Sequence, residues 1–76
     1  MRTLKTISGK ECIKLLCNEF GFKAVRQKES HVVLRKETPS GAIGTVVPLH
    51  SEIKLPTLKN VLKLAHVDER DFVEKQ

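Results

Sequence analysis

Apolar positions recur at helical spacing toward both ends of the 76-residue chain and alternate with polar ones between them. In "ISGKECIKLLCNEFG", Ile13, Leu16, Cys17 and Phe20 stand at i, i+3, i+4 and i+7, which predicts one apolar stripe on a helix. Ser8 followed three residues later by Glu11 is a capping box, and Ile7 is placed to staple onto Cys12. Gly21 supplies the left-handed stop. Three strand signals follow. "FKAVRQ" alternates weakly, while "HVVLRK" is rich in β-branched residues, with Val32 and Leu34 on one side and His31, Val33 and Arg35 on the other. "AIGTVVP" turns Ile43, Thr45 and Val47 to one face, and Pro48 ends it. "ETPSG" between the last two is a turn with Pro39 at its second position.

Helical spacing returns at Leu58, Val61, Leu62 and Ala65, with Pro56 at the helix start and Thr57 as a cap. Asp68 caps a short last helix through "ERDFVEK" that turns Phe72 and Val73 inward. Short connections between the strands imply an antiparallel meander. The expected fold is α+β: a single two-layer α-β-β-β-α(α) domain over residues 1–76, with a three-stranded antiparallel sheet and helices on one face. The other sheet face stays open, and His31 and Arg35 are expected on it or at its edge.

Composition narrows the partners. Apolar residues make up 39% and charged residues 30%, which suits a folded domain rather than a disordered tail. The net charge is +5, and it is uneven. Residues 1–36 carry nine Lys/Arg against three Glu, whereas the last ten residues carry two against four acids. A polyanion, either nucleic acid or an acidic protein, is therefore expected on the first half. Cys12 and Cys17 lie about 7.5 Å apart along the helix axis on different faces, too far for an easy disulfide. They read as free thiols of a cytoplasmic protein. No apolar run is long enough to span a membrane, and "MRTLKTISGKE" is too polar for a signal peptide.

Several chemistries are missing. There is no Gly-rich phosphate loop, no G-x-S-x-G and no Cys/His cluster for zinc, and no metal or cofactor is expected. Asp68, Glu69, Asp71 and Glu74 offset the dipole of the last helix. The three Phe fit core positions, so aromatic platforms for bases are not expected. The segment "RQKESHVVLRK" then stands out. RNA carries its own nucleophile, the 2′-hydroxyl, and its cleavage needs a base, an acid and cations around the phosphorus. An imidazole transfers protons at neutral pH without a metal. His31 is either that base or an ordinary exposed strand residue. Arg26, Lys28 and Arg35 are near it in sequence and suited to phosphate. Ser30 either contacts RNA or only finishes a turn. His50, after Pro48, is either a second acid–base group or a loop residue. His66 most simply meets a helix dipole, and Lys54, Lys59 and Lys63 form a solvated face that can double as a phosphate rail.

The ordered set "EFGF", "KAVRQK", "SH", "VPLH", "LPTLKNVLK" and "DERDFVE" resembles the HicA toxins of bacterial toxin–antitoxin pairs over nearly the whole length. The resemblance implies a double-stranded-RNA-binding-domain-like fold and metal-independent cleavage of mRNA. It implies growth arrest, and neutralisation by a HicB-type antitoxin that covers the basic face and occludes His31, in a complex that can be oligomeric. The family's Gly-Ser-His element falls on Ser30 and His31, which gives His31 the catalytic role. The Pro-x-His element falls on Pro48 and His50, and Gly-Thr-Leu falls on Pro56, Thr57 and Leu58. Two positions depart from the pattern: Glu29 and Pro56 replace glycines. Glu29 puts a carboxylate beside the proposed base, where it either favours the imidazolium or repels phosphate. A non-catalytic double-stranded-RNA-binding module and a basic adaptor protein are the competing readings.

Overall fold

Ser8 takes an extended backbone and its Oγ accepts the N–H of Glu11 at 3.1 Å, so helix α1 (Gly9–Glu19) starts where the capping signal puts it. Gly21, with φ 80°, ends it, and the N–H of Phe22 returns to the Leu16 carbonyl at 3.1 Å. This computed structural model describes residues 3–76. Strands β1 (Lys23–Lys28), β2 (His31–Thr38) and β3 (Gly41–Pro48) follow, then helices α2 (Leu55–Leu64) and α3 (Glu69–Lys75). The strands form one antiparallel sheet in the order β1-β2-β3, and the α+β, two-layer arrangement is as expected.

The core lies between the helices and one sheet face. Val32, Leu34 and Val47 point into it from the sheet, and Leu58, Val61, Leu62 and Ala65 meet them from α2 and its cap. Thr45, the one buried polar side chain among the described residues, donates its Oγ1 hydrogen to the Val61 carbonyl at 2.8 Å. That bond joins β3 to α2 without leaving a polar atom unpaired. Phe72 closes one end, its ring 6.1 Å from that of Phe20. Asp68 caps α3 by accepting the Arg70 N–H at 2.8 Å, and Phe72 and Val73 are buried, as the sequence predicts.

Four details differ from the expectation. The buried row of α1 is Gly9, Cys12 and Leu16, while Ile13, Cys17 and Phe20 are half-buried flanks. The stripe is rotated because Gly9 has no side chain and lets the start of the helix press against Pro48 and Leu49. Helix α2 begins at Leu55, with Lys54 at the N-cap and no side-chain cap, so Thr57 lies inside its first turn. Ile53 is pinned by an antiparallel bridge to Ile7, its N–H 2.7 Å from the Ile7 carbonyl, which leaves one extended residue before the helix. Ile53 is itself fully buried, a core position the periodicity did not flag. β1 is a true strand but exposed throughout, and a bulge at Val25 interrupts its ladder with β2.

His66 has a role other than its charge. It holds φ 56° just past α2, where its N–H meets the Lys63 carbonyl and the Val67 N–H meets that of Leu62. That is a Schellman motif with histidine in the left-handed position that favours glycine. His66→Gly is expected to raise stability by about 0.5–1 kcal/mol, read as a higher Tm. A lower Tm would mean that the imidazole itself holds the corner.

Candidate functional site

β2 is the central strand, and its two faces have opposite fates. Even-numbered Val32 and Leu34 are buried under the helices, so odd-numbered His31, Val33 and Arg35 look out from the open face. Residues opposite one another in a ladder share a face. The register therefore sets Lys28, His31 and Pro48 in one row, Arg26, Val33 and Val46 in the next, and Lys23, Arg35 and Gly44 in a third. His31 is exposed at the first position of the central strand, flanked on both sides, and not at a sheet edge.

Two distant segments are tied to this end of the sheet. The Leu49 N–H donates to the Ser30 carbonyl at 2.6 Å, and the Gly9 N–H donates to the His50 carbonyl at 2.8 Å. Lys28, Ser30, His31 and the 48–50 segment thus converge, with His50 two residues beyond the partner of His31. Arg26 stands one row away. Arg35 is about 13 Å from His31 along β2, and its Nε donates to Glu37 at 3.0 Å. Lys59 is not brought to this group. It sits on α2, in the layer behind the sheet, beside Pro56, Thr57, Asn60 and Lys63.

Glu29 and Ser30 form the two-residue loop between β1 and β2, closed by the Lys28–His31 pair. Glu29 has φ 55°. Both favoured hairpin turns need a left-handed first residue, which explains why a glycine suits this position. Glu29→Gly is expected to stabilise the hairpin by about 0.5–1 kcal/mol and, by removing a carboxylate beside the site, to tighten RNA binding. Thermal melts and RNA titration at fixed salt read the two effects separately. If neither changes, Glu29 points to solvent without strain or functional weight.

The thiols offer little chemistry. Burial pushes the Cys12 thiol up to about 12. Cys17 is also raised by burial, opposed by a hydrogen bond from the Ala24 backbone. Both are free. Among the described residues no three His, Cys, Asp or Glu side chains gather into a metal-binding group. Sequence reasoning passed over Lys23, Glu37 and Gly9. Glu37 was legible, two residues from Arg35 on the same strand face, but Gly9 was not, because its partners are some forty residues away.

No curated protein and no solved structure matches the chain. A family model, that of the HicA toxin of bacterial toxin–antitoxin systems, matches residues 9–67. The match runs from the first residue of α1, through the sheet and the 48–50 segment, to the corner after α2, so the chain belongs to the HicA toxins, the toxin members of bacterial toxin–antitoxin systems.

Proposed function

We propose that this toxin is a metal-independent endoribonuclease that cleaves mRNA in the cytoplasm and is neutralised by a HicB-type antitoxin. The observation that carries the reading is the exposed imidazole of His31 on the open sheet face, with Lys28 beside it and Arg26 in the adjacent row. His31 takes the proton of the RNA 2′-hydroxyl as that oxygen bonds to phosphorus. The bond from phosphorus to the 5′-oxygen breaks, an acid protonates the leaving oxygen, and a 2′,3′-cyclic phosphate remains. Lys28 and Arg26 offset the charge that builds on the phosphoryl oxygens. His50 is the nearest second imidazole by chain position and is assigned the lesser, acid or phosphate-contacting, role. Ser30, in the turn, and Arg35, farther along the face, contact RNA beyond the scissile group. Lys59, in the other layer, contributes only to its general attraction.

Two free thiols support a reducing compartment, and no helix among the described residues is long and apolar enough to cross a membrane. An antitoxin with an acidic surface fits the same open face and would exclude RNA from His31. The test is purified protein incubated with RNA, with and without excess EDTA. Cleavage is expected in both, with cyclic phosphate at the new ends. Strict dependence on magnesium would defeat this mechanism. Binding without cleavage would favour the double-stranded-RNA-binding module, and no RNA binding would favour the basic adaptor.

A further inference from the structure

The open face continues past His31 into a shallow depression lined by Val25, Arg26, Val33, Arg35, Ala42 and Gly44. Its floor is apolar and low: Val33 is half-buried, and the β3 residues opposite Arg35 and Glu37 are Gly44 and Ala42. Its rim holds two guanidiniums, with Lys23 opposite Arg35. Val25 is thrust out by the β1 bulge and is 55% exposed, and Val46 is 40% exposed. Val25 and Val33 thus set apolar surface directly beside the guanidiniums of Arg26 and Arg35. No aromatic ring is present to stack on, but flat, small residues let a planar ring approach the backbone. Arginines at the rim fit phosphates or stack on a base.

We propose that this depression is a subsite for the nucleotides flanking the cleaved bond. A single RNA strand runs along β2 from His31 toward Arg35, passing from Arg26 at the scissile phosphate to Arg35 at a flanking one, with a base over Val33, Ala42 and Gly44. The span of about 13 Å corresponds to about two nucleotide steps beyond the scissile phosphate. Glu37 is the anion that now occupies Arg35, at 3.0 Å. It competes with phosphate for that guanidinium and marks the far end of the track. This inference rests on the proposed ribonuclease reading, which supplies the strand whose neighbours the depression holds. An A-form duplex fits the geometry poorly, because its bases are not free to lie on the floor.

The experiment uses full-length His31→Ala protein, so that binding is measured without cleavage. Titrations use unstructured mixed-sequence RNA: a dinucleotide, a tetranucleotide and a hexanucleotide. Affinity should rise steeply up to the tetranucleotide and little after it. Arg26→Gln and Arg35→Gln, each added to His31→Ala, should weaken tetranucleotide binding by about fivefold or more. Each should also lower the slope of log affinity against log salt by about 0.7. Glu37→Gln should tighten binding. Lys14→Gln, on the exposed side of α1, removes the same charge away from the sheet and serves as the control. If Arg26→Gln and Arg35→Gln do no more than Lys14→Gln, the subsite is overturned, whatever the cleavage assay of the wild type shows. Equal or tighter binding of a duplex would overturn it too, as would loss of antitoxin binding with RNA binding intact in the arginine variants. If the pattern holds but wild-type protein cleaves no RNA, the ribonuclease reading fails and the RNA track stands.

Discussion

Cleavage of RNA by the His31→Ala protein is expected to fall by about 10²–10⁴-fold, the usual contribution of a positioned general acid or base. Stability should stay within about 0.5 kcal/mol of wild type, because the side chain is exposed on the open face and makes no part of the core. The pairing of His31 with Lys28 and Pro48 is through the backbone ladder and survives the substitution. A lost active group in an intact fold is what separates chemistry from structure here. Growth arrest in cells expressing the variant should disappear with the cleavage. His50→Ala should lower the rate without abolishing it. Wild-type rates in the His31 variant would sink the assignment, and a larger loss at His50 would move the catalytic role to that imidazole.

Gly9→Ala is expected to be the most damaging small substitution in the chain. At the first turn of an exposed helix this change normally helps, since glycine costs roughly 0.5–1 kcal/mol relative to alanine. Here a Cβ at position 9 would lie 2.8 Å from the Leu49 Cα and within hard contact of the Pro48 carbonyl oxygen, both of them backbone. Neither can swing away as a side chain would. One must shift, and the Gly9–His50 hydrogen bond with it. Overpacking of this kind costs about 2–3 kcal/mol. A chain of this length has about 4–11 kcal/mol in total, so Tm should fall by about 10–20 °C. The segment displaced is the one that pairs with His31 and carries His50, so residual cleavage should drop more than the folded fraction does. Lys10→Ala, one residue along and exposed, is the control and should be near neutral. A Gly9→Ala protein as stable as wild type would mean that α1 does not press on the 48–50 segment.

The two predictions bear on different links between sequence and function. His31 was legible as a candidate because an imidazole at the head of a strand among cations is a local pattern. Its face was legible too, since period-two alternation with buried Val32 and Leu34 forces His31, Val33 and Arg35 outward. Gly9 was legible only as the residue after a cap. Glu29 showed as an odd residue in a family pattern, and its left-handed φ gave that oddity a physical cost.

By itself the sequence determined the order of the elements and most of the core, because caps, stops and hydrophobic period act over a few residues at a time. Ser8, Gly21 and Asp68 ended or began their helices as local hydrogen bonding requires, and Leu58, Val61 and Leu62 lay on the face their spacing assigned. The tertiary structure alone decided which distant segments meet. It brought Pro48–His50 against both Ser30 and Gly9, bridged Ile7 to a buried Ile53, and rotated the buried row of α1 toward Cys12. It also gathered Arg26 and Arg35 around one depression while leaving Lys59 behind the sheet. These are contacts between residues remote in the chain. They follow from how two layers close over a shared core and from where a missing side chain permits close approach, and local periodicity carries no record of either.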